Sequence, residues 1–135
     1  MYIVDYESAV HVTFVLNYFN LIVNSDVFVL VWKILTRNST NVKEIGLSIF
    51  GNNLDEGGQI SVVGLNIEQV TYIFDLKEIA TENLDGFTGL LGMYLSNLEI
   101  IKIFQNCRFV SDIIFKKLRL KIVNIFDLDV RFSSL

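Results

Sequence analysis

The sequence predicts an α/β domain built on a mixed sheet. Two patterns carry that prediction. Residues 44–75 hold apolar, partly β-branched segments separated by short glycine-bearing turns, as in an antiparallel meander. Residues 85–126 then alternate helix-spaced and continuous apolar runs in the order helix, strand, helix, strand. That order needs crossover connections, and so parallel pairing of the last two strands. Length sets the frame: 135 residues, 52% hydrophobic and 19% charged, suit a single domain over residues 1–135 with a core of its own.

Taken along the chain, Tyr2 to Val4 is a short apolar run suited to an edge strand, and Asp5 is placed to cap a helix after it. Val10, Phe14, Tyr18 and Leu21 fit a helix with one buried face, with His11 packed or half-exposed on it. Val27 to Leu35 is apolar and partly β-branched, so strand and helix both stay open, and Arg37 to Asn41 reads as a loop. Glu44 to Phe50 is a strand, Asp55 to Gly58 the turn after it, and Gln59 to Ile67 a second strand with a slip near Gly64. Thr71 to Asp75 is the third strand. Phe87, Leu90, Leu91, Tyr94 and Leu95 mark a helix over Asp85 to Leu95. Ile100 to Phe104 is a buried strand. Val110, Ile113, Ile114 and Leu118 share one face of a helix over Phe109 to Leu118, and Val123 to Phe126 is a last strand ending at Asp127.

Composition excludes several functions. One cysteine, Cys107, permits no disulfide framework or cysteine zinc site, and one histidine permits no histidine-rich metal site. The free thiol favours the cytoplasm. Mean hydropathy is +0.48, yet Ser8 to Ser25 is broken by His11, Thr13, Asn17, Asn20 and Asn24, and Val27 to Trp32 is too short to span a bilayer. No membrane association is expected. Charge is uneven: the net −4 conceals seven basic residues against three acids in 102–135, with the excess of acids upstream. Lys116, Lys117, Arg119 and Lys121 therefore read either as a phosphate-binding patch or as the solvated end of a helix favoured by its dipole. Arg108 divides likewise between a phosphate contact and an ion pair at a helix start. Asp55-Glu56 is most simply a solvated turn.

Three stretches resemble the DEDD-type 3′–5′ exonuclease domain. Ile45 to Leu54 with Gly58-Gln59-Ile60-Ser61 is similar to its first strand, which carries a D-x-E-G element, and to the "G-(K/Q)-I-S" strand that follows. Ile101 to Asp112, with Cys107-Arg108-Phe109-Val110-Ser111-Asp112, resembles its "K-V-x-H-D-C-R-x-D-S-D" element, and Asn124 to Asp127 its "N-V-F-D-T" strand end. The branch it looks most like is RNase D-like, that of Egalitarian and the animal exonuclease 3′–5′ domain-containing proteins. The resemblance implies a ribonuclease H-like fold, here truncated at the C-terminus without the last helices. It also implies four carboxylates holding two divalent metals that activate water and stabilise a displaced phosphate.

The family's acid positions fall on Ser48, Phe50 and Val110, its His-Asp pair falls on Gln105-Asn106, and the fourth acid has no clear counterpart after Asp127. Hydroxyl, phenyl and isopropyl groups are no substitute for hard anionic oxygen. The expectation is a catalytically inactive domain with no metal or cofactor. It would act as an RNA-binding or protein-scaffold module in a germline or messenger-RNA transport assembly, with Arg108, Lys116, Lys117, Arg119 and Lys121 toward nucleic acid and a homodimer compatible with its exposed apolar surface. The alternative is an active exonuclease using Asp5, Glu7, Asp112 and Asp127, which requires those four acids to converge.

Overall fold

The computed structural model describes residues 12–15 and 18–128. Among the described residues seven strands form one sheet in the order β1-β2-β5-β4-β3-β6-β7. They are β1 (Val12–Val15), β2 (Tyr18–Val23), β3 (Glu44–Gly51), β4 (Ile60–Ile67), β5 (Val70–Asp75), β6 (Ile101–Phe104) and β7 (Ile125–Asp127). The helices are α1 (Ser25–Asn38), α2 (Thr81–Leu95) and α3 (Cys107–Leu118). As expected, β3, β4 and β5 form an antiparallel meander, and β6 and β7 pair in parallel. The meander is extended on both sides by parallel strands, β2 on β5 and β6 on β3.

The clearest departure from the sequence reading is at the start. The helix expected through Val10, Phe14, Tyr18 and Leu21 is instead the β1–β2 antiparallel pair, with Val12 opposite Leu21 and Val15 opposite Tyr18. Its sequence, VTFV and YFNLIV, is β-branched and aromatic, and five ladder pairs with β5 reward the extended form. Tyr2 to Val4, Asp5, Glu7 and His11 lie outside the described residues. The ambiguous Val27 to Leu35 run is helical in α1, whose N-cap Asn24 accepts a hydrogen bond from the Asp26 N–H at 3.0 Å through Oδ1. Arg37 and Asn38 end that helix rather than opening a loop, and Ser39–Asn41 is a 3-10 turn. The Asp55 turn is likewise a 3-10 turn, Leu54–Glu56. Pairing is regular through Gly64, and the irregularity falls between Phe50 and Gly51.

Alternation in β3 separates two faces. Ile45 and Leu47 are buried among Val63, Leu65, Phe74 and the apolar faces of the helices, while Ser48 and Phe50 point the other way and are exposed. Phe74 of β5 meets Phe87 of α2 with ring centroids 4.9 Å apart. Tyr94 of α2, fully buried, donates its hydroxyl hydrogen to the Leu35 carbonyl at 2.7 Å. That carbonyl is one of the last four of α1, which have no partner within the helix.

Lys102 is the odd member of this interior. It has no exposed surface, and its Nζ donates to the Asn97 carbonyl, which also accepts the Ile100 N–H at 3.2 Å. Burial disfavours the ammonium and lowers its pKa. The unfolded chain therefore holds more protons between that lowered value and the ordinary 10.5, so this residue makes stability rise with pH across that window. Lys102→Met keeps the stem and leaves the Asn97 carbonyl partnered. It is expected to match or exceed the parent's denaturation midpoint at pH 8 and to remove that rise; a fall at pH 8 would contradict it.

Candidate functional site

The site grows from the C-terminal ends of β3, β6 and β7, where open α/β sheets place their clefts. β6 ends at Phe104, and the chain turns sharply through Asn106, whose φ of 55° is left-handed, into α3. Asparagine tolerates that conformation better than most side chains. Cys107, buried at the first position of α3, donates its thiol to the Phe104 carbonyl at 3.3 Å, which suits an inert packing thiol. This turn places Val110 beside the exposed face of β3.

The result is a cleft of about 690 Å³ in which Ser48, Phe50 and Val110 all take part, together with Asn66, Thr71, Gln105 and Asn106. The three positions singled out by resemblance thus share one hollow. Its floor is set by close cross-strand packing: Ser48 lies opposite Gly64, and a Cβ on Gly64 would come within 2.6 Å of Ser48 Oγ. Phe50 is 59% exposed and presents its ring to the opening. Asn66 donates through Nδ2 to Thr71 Oγ1 at 2.8 Å, fixing a polar patch on the same face. Sequence reasoning did not assign Asn66 or Thr71. The available signal was their register: each is a polar residue in an apolar strand, and they pair across β4 and β5.

Every described side chain lining the cleft is neutral. Hydroxyls, amides and apolar groups do not fit a pair of hard divalent ions, which require anionic oxygen. Among the described residues no three His, Cys, Asp or Glu side chains gather where they could hold a metal. Of the four acids in the active-enzyme reading, Asp5 and Glu7 lie outside the described residues, and Asp112 is exposed on α3 with its carboxylate 2.9 Å from Lys116 Nζ. Asp127 ends β7 in register with Phe104, beside the cleft. Asp75 accepts the Lys77 N–H at 3.1 Å and so caps its own strand end.

The basic residues divide between the two ends of α3. Arg108 is exposed in its first turn, flanked by the cleft residues Asn106 and Val110. Lys116 and Lys117 lie in its last turn, about 12–14 Å along the axis from Arg108 at 1.5 Å per residue, and Arg119 and Lys121 follow just beyond its C-terminus. Arg108, Asp112, Phe115, Lys116 and Arg119 are all exposed and form one outward strip leading away from the cleft.

No helix among the described residues is long and apolar enough to cross a membrane. No protein-family profile and no curated protein matches the sequence. Solved structures do match. RNase D of Trypanosoma brucei in complex with RNA superposes with a TM-score of 0.69 and 25% identity over 88% of this chain and 40% of that one. The catalytic core of RRP6 from the same organism gives 0.65 with 16% identity, over 84% of this chain and 30% of that one. The EXD2 exonuclease domain gives 0.63 with 11% identity, over 85% and 58%. The chain thus spans about two fifths of the RNase D structure it matches. These likenesses say nothing of the Egalitarian branch. Strand order, the place of the cleft and the superpositions together give the chain the fold of the DEDD-type 3′–5′ exonuclease domains, the fold of RNase D.

Proposed function

We propose that this chain is a catalytically inactive 3′–5′ exonuclease-like domain that holds RNA without cutting it. One observation carries the reading: Ser48, Phe50 and Val110, where the family pattern calls for metal-binding acids, line a common cleft whose described walls bear no carboxylate. Two-metal hydrolysis needs anionic ligands to fix the ions that generate its nucleophile and neutralise the departing phosphate. The same replacements remove the negative charge that would repel a phosphodiester once no metal masks it.

What remains suits binding. The exposed Phe50 ring offers a face on which a base can stack, worth about 1–3 kcal/mol per base. The amides of Asn66, Gln105 and Asn106 offer donors and acceptors to base edges. Arg108 and the outward strip of α3 lie where phosphates leaving the cleft would pass, and α3 also presents the exposed Phe115 between its cations. The RNA bound to the structurally similar RNase D supports the choice of ligand.

The test uses a labelled single-stranded RNA with Mg²⁺ or Mn²⁺, with and without chelator. The RNA is expected to stay full length, and binding is expected to be indifferent to the chelator. Phe50→Ala is expected to weaken binding by about 5- to 150-fold, the loss of one stacked base. Stepwise, chelator-sensitive shortening would overturn the inactivity, and absence of binding at low salt would overturn the RNA reading.

A further inference from the structure

The cleft uses the face of the sheet away from α1. The outer surface of α1 carries three exposed apolar side chains around Lys33 at its mid-length: Val29, Leu30 and Ile34 are 51%, 61% and 41% exposed, whereas Phe28, Val31 and Leu35 bury the inner face. At 100° per residue, Asp26, Leu30, Lys33 and Arg37 run down the middle of this outer surface, with Val29 and Ile34 on its flanks. Apolar residues grouped in this way on a surface helix mark an interaction site more often than scattered ones do.

The arrangement of charge identifies the occupant. The acid stands in the first turn and the cations in the second half, so the strip is complementary to itself when reversed. A second α1 laid antiparallel about a two-fold axis near residues 31–32 sets Leu30 of one copy against Ile34 of the other. Asp26 then faces Arg37 of the second copy, and the aliphatic stem of Lys33 covers Val29 of the second copy. Each pairing occurs twice, as an isologous interface requires. A parallel arrangement would instead set Asp26 against Asp26 and Arg37 against Arg37. We infer that α1 is a homodimer interface between antiparallel copies of this chain, leaving both clefts open on the far side of each sheet. One 14-residue helix per copy is a small contact surface, so the association is expected to be weak and concentration-dependent.

Sedimentation velocity on the full chain from about 1 to 200 µM tests this. The parent is expected to pass from monomer to dimer over that range. Leu30→Lys, at a site already exposed, is expected to remain monomeric with an unchanged thermal midpoint. Asp26→Arg is expected to remain monomeric because it turns both end pairs repulsive, and adding Arg37→Asp to it is expected to restore the dimer. A parent that is monomeric throughout, a Leu30→Lys variant that dimerises like the parent, or a charge swap that restores nothing would overturn the inference. RNA binding at concentrations where the parent is monomeric serves as the separate readout: Leu30→Lys leaves it unchanged, so failure of the dimer and failure of the RNA reading are distinguishable.

Discussion

Joint replacement of Lys116, Lys117, Arg119 and Lys121 by glutamine is expected to flatten the salt dependence of RNA binding and to cut affinity at low salt by on the order of 10²-fold. For single strands, each neutralised phosphate contributes about 0.7 to the slope of log affinity against log salt, so removing four cations that each neutralise one phosphate lowers the slope by roughly 3. The Lys116–Asp112 pair does not offset this. Both partners are more than half exposed, and such pairs contribute little. Titrations at four or five salt concentrations measure the slope directly. An unchanged slope would show that these side chains are simply the solvated end of α3, where the helix dipole favours cations. Arg108→Gln, nearer the cleft, should remove less than one further unit and act independently of the cluster.

The second large effect concerns stability. Tyr94→Ala is expected to cost about 3–5 kcal/mol, because it empties the space of a fully buried ring and strands the Leu35 carbonyl. Domains of this size are stable by only about 5–15 kcal/mol, so the loss is a large share of the total. Tyr94→Phe keeps the ring and isolates the hydrogen bond, with an expected cost of about 1–3 kcal/mol. The same hydroxyl reports through pH. Burial, with lesser contributions from Tyr72 and Glu68, raises its pKa from 10.0 to about 12. The folded state then keeps a proton that the unfolded chain loses near 10, so the contribution is complete below that value and disappears as pH rises through about 12. Ultraviolet titration of the folded protein should show a late-ionising tyrosine that is absent in Tyr94→Phe. Denaturant midpoints of the two variants that equal the parent's would refute the anchoring role.

The meander was legible in the sequence because its signals are local: apolar alternation in Glu44–Gly51, glycines at the first turn, and partners a few residues away. α2 and α3 were legible because Phe87, Leu90, Leu91, Tyr94 and Val110, Ile113, Ile114 repeat at helical spacing. The β1–β2 pair was not, since Val10, Phe14, Tyr18 and Leu21 satisfy a helical period by coincidence and the competing reward lies some fifty residues away on β5. Ser48, Phe50 and Val110 were found through motif resemblance, and only the fold brings them to one cleft. Asn66 and Thr71 belong to that cleft through cross-strand register, which a linear reading does not reveal without the pairing.

The central β3–β5 meander also constrains how the domain assembles. Its hairpins close short loops, whereas β2 and β6 must each return across a helix to reach the meander's two borders, at greater entropic cost. The cleft draws on β3, β4 and β5 from the first group but on Phe104, Gln105, Asn106 and Val110 from the later one. Partial opening that frees β6 and α3 therefore abolishes the binding hollow while the middle of the sheet survives, so under mild destabilisation ligand affinity vanishes well before β-sheet circular dichroism does.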